Sequence, residues 1–469
     1  MLFYFWVFGG PSPARAAGLF ERASRERVTI LEGEPEIVSA RRRERESSPN
    51  FLSKPVLETR DPSDGCPRDA QAPNVHAGRS MNLRQLDRRF LGRESEPEEI
   101  EVARTEGCYV YDARGRRYID FLSGWCVGNF GWDNREITQR PRRRRPDYVC
   151  PEYVYRPWVE LARLLAEITP GRLEKSYRAT GGSEAVEIAL QIAMASTGRR
   201  KFVSVEGSYH GNTIGAVSVA SSEGREPYPN RLSSCLTIAP PLGRRAAERL
   251  EHLLRKRDVA AFIMEPISCN LAMLIPEDGF MKRAQQLCRR YGTLFIADEV
   301  ACGFGRTGKL FASEHFDLRP DILCMGKAIT GGYAPIGATI VTQKVAKSVE
   351  YKVGFWSTYG WHPPSTDAAI ATIRWLKRHA SKVLRHADEI SAYMADRLGA
   401  MNFEEIRIRG MAIAGETSDE ETASTIAERC RKNGLLLATS GAALTMFPPL
   451  TLDLRTAKQG LDILASALS

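Results

Sequence analysis

Three ionisable residues stand in equivalent places along the chain, each at the end of a short apolar run. Glu265 follows AAFIM, Asp298 follows TLFIA, and Lys327 follows DILCMG. Apolar runs of this length that alternate with helical patterns predict parallel strands covered on both faces, and ligands of such sheets bind at the carboxyl ends of the strands. The three side chains therefore predict a site at one sheet edge, with a structural cluster of ion pairs as the alternative.

The elements that must position these residues are predicted from the apolar periodicity. The pattern predicts strands over Lys201–Val205, Ala260–Met264, Thr293–Ile296 and Asp321–Met325, helices over Arg156–Ile168 and Gly279–Arg290, and a hairpin of Cys108–Tyr111 with Arg117–Phe121. Strands that alternate with helices indicate an α/β fold with a parallel sheet.

A glycine turn opens directly into a further predicted helix. The turn TGGS, residues 180–183, precedes Glu184 and an apolar helical run through Ala195. The unpaired N–H groups and the positive end of such a helix suit a phosphate, although many helices begin with Gly-Ser for capping alone. Further along, the segment GSYHG places Tyr209 and His210 between glycines, where a tyrosine can stack on a flat ligand ring.

A second glycine-rich turn, residues 303–308, matches the pattern G-x-G-x-x-G. It does not predict a dinucleotide site, because it begins several residues beyond the strand and the chain reaches Pro320 before a crossover helix develops. We interpret it as a structural turn between two strands.

Composition limits the class of protein. A chain of 469 residues with 43% hydrophobic and 26% charged residues predicts a soluble globular protein of two or three domains. The net charge of +9 owes much to five arginines within residues 140–145, which predict a solvated loop rather than a nucleic-acid surface. The ten cysteines are scattered without metal-binding spacing, which predicts reduced thiols in a cytoplasmic protein and no metal site.

Residues 1–80 differ in composition from the rest of the chain. They are rich in Arg, Glu, Ser, Pro and Gly without periodicity, which predicts a disordered extension or a sequence upstream of the true initiator, Met81. The apolar start MLFYFWVF is too short to span a bilayer, so no membrane segment is predicted.

A phosphate turn, a stacking tyrosine, an aspartate and a lysine together suit pyridoxal phosphate. Lys327 would hold the cofactor's aldehyde as a Schiff base, and Asp298 would keep the pyridine nitrogen protonated, which strengthens the ring as an electron sink. Once a substrate amine displaces it, the lysine amine is free to shuttle a proton.

Six ordered motifs carry a resemblance to a known family: TGGSEAVEIAL, SYHGNT, FIMEP, FIADEVACGFGRTG, DILCMGKAITGG and STYGWHP. From about Glu101 to its end the chain resembles the class III, or omega-amino-acid, branch of the pyridoxal-phosphate aminotransferases. The resemblance implies the aspartate-aminotransferase fold (PLP fold type I), a large domain around a mostly parallel seven-stranded sheet with a smaller α+β domain. We expect the small domain in residues 81–139 and 371–469, and the large domain in residues 140–370.

The same resemblance implies roles for individual residues. Gly182 and Ser183 would bind the phosphate, Tyr209 and Val300 would cover the two ring faces, and His210 would join the cofactor site. Thr358 would reach the phosphate bound by a neighbouring subunit, because the family works as a dimer or dimer of dimers with shared active sites. The substrate side would be lined by Trp125, Glu265 and Arg409.

Two positions depart from the family pattern and bear on the substrate. Ala301 stands where the family usually has a glutamine that contacts the cofactor, and Thr445 stands where many members carry an arginine for the alpha-carboxylate. Loss of that bidentate grip favours an omega-amine or unusual amino-acid donor. We therefore expect ping-pong transfer of the amino group to a 2-oxo acid or aldehyde; an aminomutase, a racemase or a cofactor-binding homologue without turnover are the alternatives.

Overall fold

The computed structural model describes residues 82–91, 100–138, 146–220, 228–352, 354 and 357–469. The predictions for residues 1–80 and for the arginine run at 140–145 lie outside the described residues. The first described helix, α1 (Leu83–Phe90), begins with a capping box in which Asn82 and Gln85 each accept a hydrogen bond from the other's backbone N–H. This helix belongs to a unit separate from Arg93–Ser469, which holds every element described below.

The described strands of this larger unit are numbered in chain order. They are β1 (Val102–Glu106), β2 (Tyr109–Asp112), β3 (Arg117–Asp120), β4 (Leu173–Ala179), β5 (Lys201–Val205), β6 (Cys235–Ile238), β7 (Val259–Met264), β8 (Leu294–Asp298), β9 (Ile322–Met325), β10 (Gly337–Thr342), β11 (Glu405–Arg409), β12 (Ala412–Glu416), β13 (Leu435–Leu436), β14 (Ala438–Ser440) and β15 (Ala443–Met446). The predicted strands and hairpin are all present, with ends shifted by one or two residues.

Seven of these strands form the central sheet, in the order β4-β10-β9-β8-β7-β5-β6. Strands β9, β8, β7, β5 and β6 pair in parallel, and β10 runs antiparallel between β4 and β9. Every residue of β7 is buried because helices cover both faces, as the continuous apolar run predicts. The α/β fold class with a mostly parallel seven-stranded sheet is confirmed.

The helices of the larger unit lie between the strands along the chain. They are α2 (Ser123–Cys126), α3 (Arg135–Thr138), α4 (Arg156–Ile168), α5 (Gly182–Thr197), α6 (Ile214–Val219), α7 (Arg244–Leu254), α8 (Phe280–Tyr291), α9 (Gln343–Val349), α10 (Pro363–Gly399), α11 (Glu420–Lys432) and α12 (Leu454–Leu468), with 3-10 turns at Ala312–Phe316 and Lys327–Thr330. None of the helices within the described ranges has both the length and the apolarity needed to cross a lipid bilayer.

Two smaller sheets are built from the two ends of the larger unit. One has the order β1-β2-β3-β13, in which Leu435 of β13 pairs in parallel with Ile119 of β3. The other has the order β11-β12-β15-β14. These sheets fit the smaller α+β domain of the predicted fold, and the boundaries at residues 139 and 370 stay a prediction.

The glycine turn at residues 303–308 is a structural junction. Its Gly305 and Gly308 have φ values of +88° and +86°, a region that favours glycine. Between them the side chain of Arg306 is completely buried and donates hydrogen bonds to the carbonyl oxygens of Met411 (2.8 Å) and Pro448 (2.6 Å) and to the side-chain oxygen of Asn129. One guanidinium therefore joins the turn after β8 to the β11-β12-β15-β14 sheet and to the loop after β3.

Arg306→Leu should lower the free energy of unfolding by at least about 3 kcal/mol, because three buried acceptors lose a charge-assisted donor. Urea denaturation at fixed protein concentration measures this loss. Arg283→Leu is the matched control, since Arg283 forms an ion pair with Glu251 and is about half exposed. The control should cost less than about 1 kcal/mol. Equal losses in the two variants would contradict the role given to Arg306.

Candidate active site

The carboxyl ends of β5, β7, β8 and β9 lie at one edge of the central sheet. An ionisable side chain lies at, or a few residues after, the end of each of these strands. Asp298 is the last residue of β8, Glu265 directly follows β7, and Lys327 lies two residues after β9. His210 comes from the loop after β5. Parallel pairing carries these residues to the same edge, as the sequence predicted.

Asp298 is held by two donors. His210 Nδ1 lies 2.7 Å from Asp298 Oδ2, and the Val300 N–H donates to Oδ1 over 3.1 Å. Both side chains are buried, and His210 Nε2 has no hydrogen-bond partner among the described residues. The imidazole therefore orients the carboxylate while its second nitrogen is available to another group.

Lys327 begins the 3-10 turn with φ of +45°, a left-handed conformation that is strained for a lysine. Its side chain is partly buried, and within the described chain no ion pair joins it to Asp298 or Glu265. The lysine amine is therefore available for a covalent bond, which argues against the structural cluster of ion pairs.

The start of α5 forms a cradle against the β8 end. Gly181 is extended and offers no side chain to cap the helix, so the first N–H groups of α5 are open to an anion. A Cβ added at Gly182 would lie 2.8 Å from Val300 Cγ1, so only glycine allows this close approach. Ser183 Oγ accepts a hydrogen bond from the Asn212 N–H over 3.2 Å, which ties the cradle to the loop after His210.

Glu265 is a buried acid with its oxygens bound by its own loop. The Cys269 N–H and Asn270 Nδ2 donate to its two oxygens over 3.1 and 2.9 Å. Burial and the neighbouring charge of Asp298 raise the pKa of Glu265 to about 8, against the opposing effects of Asn270 and Lys327. Two acids at one sheet edge thus have different electrostatic environments, a pattern typical of functional sites.

The chain from residue 90 to residue 468 matches the family model of the class-III aminotransferases. The chain belongs to this family.

Relatives of the aminotransferase agree with this match. It is 33% identical over 372 residues to an acetylornithine aminotransferase of Archaeoglobus fulgidus, with 78% of this chain and 95% of the relative covered. It is 29% identical over 443 residues to the adenosylmethionine-8-amino-7-oxononanoate aminotransferase of Staphylococcus aureus, covering 83% and 98%. The fold is similar to a crystal structure of the omega transaminase from Pseudomonas jessenii in complex with PMP, with a TM-score of 0.75, 24% identity and coverage of 83% and 98%.

Class-III aminotransferases depend on pyridoxal phosphate, and the geometry of this chain fits that cofactor. The open helix start suits its phosphate, Gly182 lets Val300 pack closely against that helix start, and Asp298 with His210 gives a buried acid for the pyridine nitrogen. Among the described residues, no cluster of three or more acids, histidines and cysteines could hold a metal ion.

The other predicted site residues are more exposed than Asp298, Glu265 and His210. Tyr209 is 37% exposed, and Trp125 is 40% exposed with its ring 6.0 Å from that of Phe447. Thr358 is exposed in the turn before α10, and Arg409 is exposed at the end of β11. A cavity of about 780 Å³ reaches Trp125 from the side of the small β1-β2-β3-β13 sheet, and the residues after β7, β8 and β9 do not line it.

Sequence reasoning missed several groups around the site. It named His210 without its partner, and it did not identify Asn270 or the turn of α2, where Ser123, Gly124, Trp125 and Cys126 all have positive φ. The GSYHG and SGWC segments hold His210 and the turn of α2, and Asn270 lies in the loop after β7, but spacing alone does not predict their contacts.

Glu265 should make the stability of the protein depend on pH. In the folded protein this acid keeps its proton up to a pKa of about 8, whereas in the unfolded chain it ionises near 4.5. Its stabilising contribution is therefore complete below pH 4.5 and lost as pH rises through 8, with a slope of about 1.4 kcal/mol per pH unit between them.

Urea denaturation from pH 5 to pH 9 should show a weaker decline for Glu265→Gln than for the wild type. Asn270→Ala removes a hydrogen bond that favours the ionised acid, so it should extend the decline to higher pH. An unchanged slope in Glu265→Gln would show that another group causes the decline.

Proposed function

We propose that this aminotransferase moves an amino group from an omega-amine or unusual amino-acid donor to a 2-oxo acid or aldehyde, by a ping-pong route centred on Lys327. One observation carries the proposal: the unpaired Lys327 lies at the same sheet edge as the His210-bound Asp298 and the open start of α5. The names of the relatives differ in their substrates, so family membership leaves the donor open.

Pyridoxal phosphate, when bound, supplies an aldehyde carbon and an electron-withdrawing pyridine ring. In this proposal Lys327 is the amine that bonds to the aldehyde carbon, and Asp298 accepts a hydrogen bond from the protonated pyridine nitrogen. The N–H groups at Gly182 and Ser183 would bind the phosphate. Val300 and Tyr209 would hold the ring from its two sides.

Lys327 has a second role once the substrate amine replaces it. Its freed Nζ would act as the general base that takes the proton from the substrate carbon and then as the general acid that gives this proton back. Its position at the start of a rigid 3-10 turn restricts the amine to one region of the site. His210 acts through Asp298, because it fixes the direction of the carboxylate over 2.7 Å.

The substrate side is proposed to be lined by Glu265, Trp125 and Arg409. Thr445, which stands where many relatives carry an arginine, is fully buried with its hydroxyl 3.3 Å from the Ala438 carbonyl oxygen. Ala301 is also buried and offers no polar side chain. Neither position supplies a grip for an alpha-carboxylate, which supports a donor whose amine is remote from such a group.

We also propose a cytoplasmic homodimer or dimer of dimers in which the partner subunit's Thr358 contacts the phosphate. Support comes from exposed apolar side chains on the segment before α4, on α4 itself and beside Thr358. These side chains belong to Tyr148, Tyr153, Val154, Val159 and Tyr359. Such a patch on a globular protein is typical of a protein interface. The described cysteines other than Cys235 are free thiols, which supports a reducing compartment.

Borohydride reduction of the cofactor-loaded protein, followed by peptide mapping, should place the pyridoxyl label on Lys327. Lys327→Arg should give no label, because a guanidinium does not form the covalent bond. Lys344→Arg is the matched control, since Lys344 begins α9 just beyond β10, and its labelling should equal that of the wild type. A label on another lysine would contradict the assignment.

The label, together with the conversion of the bound cofactor by an amine donor, distinguishes the alternative functions. Asp298→Asn should retain the label but slow the conversion of bound cofactor to its amine form by on the order of 100-fold, because the pyridine nitrogen loses its charged partner. An amine donor produces that conversion in a transaminase. An aminomutase or racemase would return rearranged or inverted substrate without net oxo acid, and an inactive homologue would carry the label and do neither.

Val154→Asp should weaken the dimer and its hold on the cofactor, because it places a charge on a side chain that is 92% exposed in the single chain. Sedimentation velocity should show more monomer, with less bound cofactor absorbance. Leu454→Asp, an exposed leucine at the start of α12, is the control and should behave as the wild type. A wild-type sedimentation profile for Val154→Asp would place the interface elsewhere.

A further inference from the structure

Three cysteines share one small buried cluster beside the active site. Cys126 ends the left-handed turn of α2, Cys269 lies in the loop after β7, and Cys302 lies in the turn after β8. Each is at most 2% exposed, and Ala301 packs in the same cluster. The cluster therefore brings together thiols from three loops that follow different strands.

Two of these thiols are partners. The Cys126 and Cys269 side chains pack in the same buried cluster and interact with each other, and the Arg306 guanidinium lies beside Cys126. Lys327 adds a second positive charge near Cys126. Positive charge next to a thiol favours the thiolate, which is the reactive form.

The pKa of Cys126 agrees with this geometry. Burial raises it, but the neighbouring Cys269 thiol and the charges of Arg306 and Lys327 outweigh burial and lower the pKa to about 7. Burial instead raises the pKa of Cys288 and Cys324, which lie in the core without such neighbours. Cys302 donates its S–H to the Asp298 carbonyl oxygen and to Glu299, so this thiol already has hydrogen-bond partners of its own.

We propose that Cys126 and Cys269 are a redox-sensitive pair that closes to a disulfide when the enzyme meets a peroxide, and that closure stops turnover. The disulfide can form whether or not the proposed function is correct. Only the effect of the disulfide on turnover rests on the proposed function.

The reaction balances with a peroxide as the oxidant. The Cys126 thiolate attacks one peroxide oxygen, the O–O bond breaks, and hydroxide leaves, which gives a sulfenic acid. The Cys269 sulfur then attacks the Cys126 sulfur, the S–O bond breaks, and hydroxide leaves again. The two thiol protons convert both hydroxides to water. In total, two thiols are oxidised to one disulfide, and one hydrogen peroxide is reduced to two waters.

Closure would affect residues proposed for the substrate side. A disulfide holds its sulfurs about 2.05 Å apart, closer than two unbonded sulfurs can pack, so the two loops must move toward each other. Cys126 directly follows Trp125, and the Cys269 N–H donates to Glu265. The link would therefore shift both side chains at once and restrict the turn of α2 against the loop after β7.

The test treats the cofactor-loaded enzyme with hydrogen peroxide and then with dithiothreitol. Intact mass should fall by about 2 Da, as two thiol hydrogens are lost, and a non-reducing peptide map should show a Cys126–Cys269 link. Aminotransferase activity should fall on the order of tenfold or more and return with the dithiol. Cys126→Ser and Cys269→Ser should each lose the link and the reversible part of the inactivation. Cys302→Ser, from the same cluster, should retain both.

Two results would overturn the proposal. One is a peptide map without this link under conditions that inactivate the enzyme. The other is reversible inactivation of Cys126→Ser and Cys269→Ser to the same extent as the wild type. A link without any change in turnover would refute the regulatory part. If the protein has no transaminase turnover, the mass and the map still report the link, so the two failures are distinguishable.

Discussion

The buried guanidinium of Arg306 is the contact on which the arrangement of this aminotransferase depends. A charge buried in a protein needs full hydrogen bonding, and here the acceptors come from the loop after β3, the hairpin of β11 and β12, and the segment after β15. The turn that carries Arg306 lies a few residues after Asp298, the last residue of β8. One side chain thus fixes the β11-β12-β15-β14 sheet and the loop after β3 relative to the edge of the central sheet that carries Asp298.

The site itself combines groups of contrasting environment. Asp298 has two donors on its carboxylate, while Glu265, on the adjacent strand end, is buried where protonation is favoured. At the same edge lie Lys327, which has no ion-pair partner among the described residues, and the uncapped start of α5. An anion site, a cation partner and a free amine at one edge are what a charged, aldehyde-bearing cofactor requires.

Much of the fold was predictable because burial leaves a periodic trace in a sequence. The runs ending at Glu265, Asp298 and Lys327 gave the strand ends, and parallel pairing then brought them together. Contacts made across distant parts of the chain leave no such trace. From the sequence, Arg306 is interpreted only as part of a glycine motif, and Cys126 and Cys269 only as scattered thiols. Their partners are determined by the packing of loops rather than by local spacing, so the sequence does not reveal them. The antiparallel β10 and the two small sheets came from the family resemblance or from the structure.

The pairing of β13 with β3 has a consequence for how the protein is made. Leu435 completes a sheet whose other strands, ending at Asp120, leave the ribosome long before it. Until then the exposed edge of β3 offers unpaired backbone groups to other strands. Strands that are far apart in the sequence pair slowly. The nascent chain therefore has a long interval in which the edge of β3 is open to aggregation or chaperone binding. Assembly of the smaller domain is therefore one of the last events in the biosynthesis of this enzyme.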